Sequence, residues 1–316
     1  LKAARGAKSV LGDKDKALAL LERAYALDHA DAEVVESLLE ARVELDDLER
    51  AAPLAYARVA HLEQREAAGQ IDKQAMIKAS AVAGRCALRA GDRDGARKHL
   101  ARARKLDASN FEVARLLADL QLESGQFEDA LNAYQSVVLG ASDLDDAARA
   151  EIYVKMSRCH RAQAREPKAA LMLQRALEIS PKHEGAIRAL VEVAEDTRSR
   201  VDAQLRLVWL LESGHAAPKG ADDASAEDEV LELRLAAAGD LAGELDRADE
   251  AVKVVEEGLA KRSDDPALLH QLLELRTKKE EWHAACDVLK RLAALQDDPG
   301  AKSKYLYAGA VLLRDN

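Results

Sequence analysis

Eight alanines recur along this chain at intervals that return four times to the same value. They are Ala17, Ala51, Ala96, Ala130, Ala169, Ala203, Ala251 and Ala285, and the steps between them are 34, 45, 34, 39, 34, 48 and 34 residues. A fixed period in this range is the signature of an array in which each repeat contributes one small structural unit. The spacing therefore predicts a repeat protein rather than two or three unrelated globular domains.

The composition favours helices and argues against sheets. Alanine and leucine supply 64 and 47 of the 316 residues, whereas aromatic residues make up only 3%. Both are good helix formers, and runs of β-branched or aromatic residues are short. The apolar content of 48% is high enough to bury a continuous core, which excludes disorder. We expect an all-α protein that packs through small side chains.

Two series of small residues mark where helices are expected to cross, and the first is the series of eight alanines given above. In the segment 91–103, Ala96, Leu100 and Ala103 fall at i, i+4 and i+7, which places them on one face of a helix. A second series is implied by a resemblance to the tetratricopeptide-repeat family, which places a small residue in the helix before each alanine: Gly84, Ala118, Ser157, Gly239 and Gly309. Small residues at a crossing let two helices approach within about 8–10 Å. We expect both series to lie at helix crossings.

With this spacing, the chain resembles the tetratricopeptide-repeat family across nearly its whole length. Pro181, which lies 12 residues after Ala169, matches the proline that ends the second helix in that family. The resemblance implies an all-α, right-handed superhelical solenoid of antiparallel helix pairs. It predicts a single continuous array over residues 1–316, of about eight repeats anchored at the alanines above. Partial repeats are expected at both ends, in 1–10 and 305–315.

Three of the steps exceed 34 residues, and the insertions in the first and the third of these lead to structural predictions. The segment 61–72 lengthens the first long step by 11 residues, close to three turns, and predicts longer helices there. The segment 213–225 contains glycine, proline and serine and predicts a loop insertion. At the C-terminal end, Leu306, Val311 and Leu312 would leave an apolar face open. The alternatives are a longer array or multidomain protein that continues beyond the chain, and self-association through open ends.

The charge balance bears on the kind of partner. Fifty-seven acidic against 47 basic residues give a formal charge of −10, which is unfavourable for nucleic-acid binding. No run reaches the roughly 18–20 apolar residues that a membrane span needs. We expect no nucleic acid and no membrane among the partners, and a cytoplasmic location. The chain begins at Leu1 rather than at methionine, which leaves open that residues precede it.

Residues that could catalyse a reaction or hold a metal do not converge in the sequence. The motifs of phosphate-binding loops, dinucleotide-binding folds, zinc proteases and serine hydrolases are absent. The cysteines, Cys86, Cys159 and Cys286, lack the spacing of a disulfide framework or a zinc site, and we expect buried free thiols. We predict that the chain is not an enzyme, binds no cofactor and holds no metal.

In the tetratricopeptide-repeat family the first helix of each pair lines an inner groove, so the resemblance implies that basic residues of these helices face a partner. They are Lys78, Arg85, Arg89, Arg115, Lys155, Arg158, Arg161 and Arg188. Arginine forks suit carboxylates, so this set predicts a positive stripe for an acidic peptide. The N-terminal groove is acidic instead, with Glu33, Glu36 and Glu40. The alternative is a solvated face whose charges compensate one another.

The sequence favours a non-enzymatic scaffold that binds a peptide or partner protein on its curved surface. The alternative is a regulatory or sensing segment of a larger multidomain protein, in which the array positions or occludes an effector domain outside this chain. Flanking catalytic motifs would favour the second alternative. The fold alone does not decide between them.

Overall fold

The computed structural model describes residues 14–29, 31–70, 72–142, 144–219 and 223–316. Throughout this part of the chain the regular secondary structure is helical, with sixteen α-helices and no strand. The predicted all-α class is therefore confirmed. The chain divides into two compact units, Leu1–Leu144 (unit 1) and Asp145–Asn316 (unit 2), and each is described by itself.

The helices alternate between first and second members of a pair, with the even-numbered ones first. In unit 1 they are α1 (Lys14–Leu27), α2 (Ala32–Glu44), α3 (Leu48–Ala67), α4 (Lys73–Arg89), α5 (Arg93–Leu106), α6 (Phe111–Glu123) and α7 (Phe127–Gly140). In unit 2 they are α8 (Asp146–Ala162), α9 (Glu166–Ile179), α10 (Glu184–Val193), α11 (Thr197–Glu212), α12 (Asp223–Gly243), α13 (Ala248–Lys261), α14 (Pro266–Lys278), α15 (Trp282–Ala294) and α16 (Pro299–Asp315).

Within each unit, every helix packs mainly against the helices before and after it in the sequence. This sequential stacking is the arrangement of an α-solenoid, because one helix pair cannot bury its own apolar face and neighbouring pairs bury it instead. The core of each unit accordingly runs from one helix pair to the next. The partial first helix predicted in 1–10 lies outside the described residues.

The eight alanines of the repeat series all lie on second helices and are all buried. Seven of them have no exposed surface, and Ala17 is 3% exposed. A buried residue this small brings the backbones of neighbouring helices close together, and larger residues such as Leu100, which is also fully buried, fill the space beside it.

The second series of small residues behaves in the same way, with one exception. Ala118 and Ser157 have no exposed surface. At Gly84 a Cβ atom would lie 2.5 Å from Cγ of Leu100, so only glycine fits without movement. Gly239 differs, because it is exposed and nothing lies within 4 Å of where its Cβ would be. In that repeat Ala238, one residue earlier and fully buried, lies in the core instead.

The turns from first to second helices follow the glycine and aspartate pattern of the sequence. In six turns of the described chain, one residue has a positive φ between 51° and 76°: Asp46, Gly91, Gly125, Ala164, Asp246 and Glu280. The amide of Asp92 donates to the carbonyl of Ala87 at 2.9 Å, which closes the C-terminus of α4. Its side chain accepts from the amide of Gly95 at 2.9 Å and caps α5.

The two insertions have different outcomes. The segment 61–72 extends α3 to Ala67, giving a helix of 20 residues, so the predicted lengthening is confirmed. Within the loop predicted at 213–225, the structure begins α12 at Asp223. The chain before it, from Ser213 to Lys219, is not helical and follows α11. The loop is therefore shorter than the sequence predicts, because the residues from Asp223 onward join the next first helix.

The positive φ of Ala164 generates a stability prediction. Its φ of 54° lies in the left-handed region, which costs residues with a Cβ about 1–2 kcal/mol. We expect Ala164→Gly to stabilise unit 2 by about 0.5–1 kcal/mol, since glycine adopts this conformation without strain and loses only its own chain entropy. Thermal unfolding followed by circular dichroism measures the effect. Ala236→Gly, at an exposed interior position of α12, is the control and should destabilise by about 1 kcal/mol. Equal losses in both variants would contradict the account of the turn.

Gly84 and Gly239 form a second matched pair. We expect Gly84→Ala to destabilise unit 1 by about 1–3 kcal/mol, because its Cβ would overlap the side chain of Leu100. Gly239→Ala should instead stabilise by up to about 1 kcal/mol, since its surroundings are open and alanine is the better helix former. Urea unfolding of both variants tests the contrast. Stabilisation in both would show that the crossing at Gly84 has room for a methyl group.

Candidate partner-binding surfaces

Four of the eight predicted binding cations lie in unit 1, on α4 and α6, and each faces an acidic side chain of the same unit. The pairs are Lys78 with Glu36 and Glu40, Arg85 with Glu112, Arg89 with Asp46, and Arg115 with Asp119, at 3.8–3.9 Å between charged atoms. The cations are one-third to three-fifths exposed. Exposed pairs of this kind contribute about 0–1 kcal/mol. These cations are thus compensated but only weakly held.

The other four lie in unit 2, and three of them are on one face of α8. Lys155, Arg158 and Arg161 follow one another at intervals of three residues, which places them close together on the helix surface. Arg161 pairs with Glu192 of α10 at 2.9 Å. Arg158 is exposed and has no ion pair or hydrogen bond with any residue that the structure describes. These three residues form what we call the α8 surface.

Arg188 has a different position from the other seven. Its side chain is only 19% exposed, and its guanidinium pairs with Glu184 on α10 at 2.8 Å and with Glu229 on α12. It also donates to the carbonyl oxygen of Ala217 in the segment after α11. The guanidinium therefore links this segment and α12 to α10, and its hydrogen-bonding groups already have partners within unit 2.

The contact with Arg188 also changes the pKa of Glu229. Burial raises the pKa of its carboxyl group, but hydrogen bonds from Arg188 and from the amide of Lys219 lower it. The lowering outweighs the effect of burial, so the pKa lies below its ordinary value. The carboxylate itself is 8% exposed. A carboxyl group with a lowered pKa in the folded state stabilises the fold above its ordinary pKa, and this contribution is lost as the pH falls through the folded value.

Sequence reasoning did not find a concavity of unit 1 that lies between two first helices. A groove of about 390 Å³ lies between α2 and α4, over α3, and we call it the α2–α4 groove. Its floor is apolar and consists of Leu39, Val43, Ala75, Ala79 and Val82. Its rim on α2 carries three glutamates, and Lys78 and Arg58 are the basic residues that line it. The spacing of four between Leu39 and Val43, and between Ala75 and Ala79, is the signal that could have indicated this floor.

The glutamates of this rim are Glu36, Glu40 and Glu44, at intervals of four along α2. Arg58, on α3, is 11% exposed and lies 3.6 Å from Glu36. Two of these three glutamates belong to the acidic N-terminal groove expected from the sequence, and Glu33 is exposed at the start of the same helix. The groove thus combines apolar area with a predominantly acidic rim.

Several other features of the described residues bear on function. None of the described helices has the length and apolar content that crossing a bilayer requires. The described residues contain no group of three or more His, Cys, Asp or Glu side chains placed to hold a metal ion. The three cysteines are free and buried, as the sequence predicts.

Arg188 and Arg158 give opposite predictions for stability. We expect Arg188→Met to destabilise unit 2 by about 3 kcal/mol, since it leaves the buried Glu229 without its cation. Arg158→Met should change the free energy of unfolding by less than about 0.5 kcal/mol. Urea unfolding at neutral pH measures both, and repetition at falling pH should reduce the effect of Arg188→Met as Glu229 becomes protonated. A negligible loss for Arg188→Met would mean that the arginine is free to bind a partner.

Comparisons with known proteins agree with the helical-repeat fold. The tetratricopeptide-repeat family model matches residues 87–151. No curated protein matches the chain. Among solved structures, the C-terminal part of a TPR repeat-containing protein from Cytophaga hutchinsonii is similar with a TM-score of 0.54 at 14% identity, covering 86% of this chain and 98% of that one.

Two further solved structures have lower TM-scores. YrrB, described as a TPR protein with an unusual peptide-binding site, has a TM-score of 0.45 at 19% identity and covers 58% of this chain and 86% of its own. MamA from Desulfovibrio magneticus RS-1 has a TM-score of 0.46 at 16% identity and covers 59% and 96%. The match over 87–151, the fold shared with the Cytophaga structure and the stacked helix pairs of both units lead to one conclusion. This chain is an all-α protein of stacked helix pairs, and its residues 87–151 match the tetratricopeptide-repeat family.

Proposed function

We propose that this chain is a non-enzymatic scaffold for protein–protein interactions, which binds a peptide or a segment of a partner protein on its first helices. The observation that supports this most is the α2–α4 groove, an open concavity of about 390 Å³ with an apolar floor and charged rims. Apolar area provides the free energy of binding, and charges around it orient the partner. A groove between helices suits an extended or helical segment.

The α8 surface supports a finer proposal, that one partner segment is acidic. Arg158 is exposed and unpaired among the described residues, and Lys155 and Arg161 lie on the same face, with Arg161 already paired with Glu192. Guanidinium groups bind carboxylates through two parallel hydrogen bonds. The four cations of unit 1 support an acidic partner less well, because such a segment would have to compete with the carboxylates they already face.

A random peptide library displayed on phage and selected against the purified chain tests the proposal. We expect enriched peptides of two kinds. One kind should lose affinity about tenfold or more in Val82→Phe, which fills the α2–α4 groove, and the other, rich in Asp and Glu, should lose it in Arg158→Glu. Fluorescence anisotropy with the enriched peptides measures each loss.

Two matched variants provide the controls. Leu171→Phe adds an aromatic ring at a position of α9 that is 45% exposed, and Arg175→Glu reverses an exposed charge on the same helix. Both leave the α2–α4 groove and the α8 surface intact, so affinity should be preserved. Selection without enrichment, or peptides that bind all four variants equally well, would overturn the proposed function.

A further inference from the structure

The position of Lys78 in the α2–α4 groove indicates what kind of partner the groove accepts. Its ammonium nitrogen lies 3.9 Å from Glu36 and 3.8 Å from Glu40, between two carboxylates on the opposite helix. Both distances exceed the usual 2.7–3.2 Å of a hydrogen bond. The side chain is also 55% exposed. The cation therefore occupies this position without being fixed in it.

The two carboxylates around Lys78 differ in how they are compensated. Glu36 also faces Arg58, which is 11% exposed and lines the groove from α3. Among the residues that the structure describes, Lys78 is the only cation paired with Glu40, which is 59% exposed. When Lys78 moves out into solvent, Glu40 is left as an unpaired acceptor beside an apolar floor. The groove then favours a positive charge at this point.

We propose that the α2–α4 groove binds a basic segment of a partner protein, in which lysine or arginine alternates with aliphatic side chains. This inference rests on the proposed scaffold function and names the chemistry of one partner. A lysine or arginine of the segment displaces Lys78 and takes its place between Glu36 and Glu40. The aliphatic side chains of the segment pack on the floor formed by Leu39, Val43 and Val82.

Charge complementarity explains why this groove selects against the acidic segment proposed for the α8 surface. The α2 rim carries Glu36, Glu40 and Glu44 in a row, and an acidic segment lying along it would place like charges opposite one another. Lys78 acts as an internal competitor, since a tethered cation is present at a high effective concentration. Removing it should strengthen the binding of a basic segment, whereas it would weaken the binding of an acidic one.

Two synthetic peptides test this proposal, one of alternating lysine and leucine and one with glutamate in place of each lysine. Affinities for the full chain are measured by fluorescence anisotropy at low and at raised salt. We expect the lysine peptide to bind more tightly to Lys78→Met than to the unmodified chain, by about three- to fivefold. Glu40→Gln should weaken it by a similar factor, and Val82→Phe should weaken it further by filling the floor.

A control pair with the same chemistry separates binding at this site from nonspecific attraction to an acidic protein. Lys290 and Asp287 form an exposed ion pair at 2.9 Å on α15. Lys290→Met and Asp287→Asn change the net charge by the same amounts as Lys78→Met and Glu40→Gln. Affinity for the lysine peptide should not change in these two variants. Unchanged circular dichroism melting curves verify that the variants are folded.

The outcomes distinguish this inference from the function on which it rests. The proposal of a basic partner is overturned if Lys78→Met and Lys290→Met change the affinity for the lysine peptide equally. It is also overturned if the glutamate peptide binds more tightly than the lysine peptide and loses affinity in Lys78→Met. The second result leaves the scaffold function standing, because a segment of opposite charge would then occupy the groove. Failure of both peptides to bind overturns the inference as well, while library selection tests the scaffold function independently.

Discussion

The distance at which neighbouring helix backbones can approach one another determines how this protein is built. The residues at the crossings are alanine, glycine or serine, and at Gly84 even a methyl group would come within 2.5 Å of Leu100. Close crossings let each helix bury a narrow apolar stripe against its neighbours without large side chains. This explains how a chain with only 3% aromatic residues forms a continuous core in each unit. In six of the described turns from first to second helices, one residue at positive φ lets the chain reverse direction within a few residues.

Charge on the outer surfaces is organised by contacts between helices rather than by the overall excess of acid. Arg102 reaches Glu63 and Glu66 of α3, and Arg276 reaches Glu256 of α13. Such pairs stabilise an exposed surface only slightly, but they determine which charges a partner can use. A net charge of −10 says little about binding, because an exposed arginine such as Arg158 and an acidic groove occur on the same chain. The two surfaces accordingly differ in the partner charge they favour.

Much of the fold could be predicted from the sequence because helix crossings leave a periodic trace. The size limit at each crossing recurs once per repeat, so the alanine series is found by spacing, and the family resemblance adds most of the small residues before it. The resemblance predicts Gly239 at a crossing, whereas the structure buries Ala237 and Ala238 of α12 instead. Whether the repeats form one array across both units stays a prediction.

The candidate site was less predictable for a physical reason. The role of a charged residue depends on which opposite charge the fold places beside it, and this information is not periodic. The sequence predicts Arg188 as a binding residue, whereas the structure pairs it with Glu229, which lies 41 positions away in the chain and cannot be found by spacing. The acidic side of the α2–α4 groove was visible in the sequence, whereas its apolar floor forms only when the fold brings the first helices α2 and α4 together over α3. One repeat considered alone shows neither this floor nor the contact between Arg188 and Glu229.

Sequential stacking has a consequence for how such a protein changes during evolution. Because each helix packs mainly against its neighbours in the chain, a substitution on one pair disturbs the adjacent pairs and little else. The residues that meet a partner can therefore drift separately in different repeats, while the alanines between them remain constrained by size. New specificities can arise one repeat at a time, on a framework whose interior is preserved.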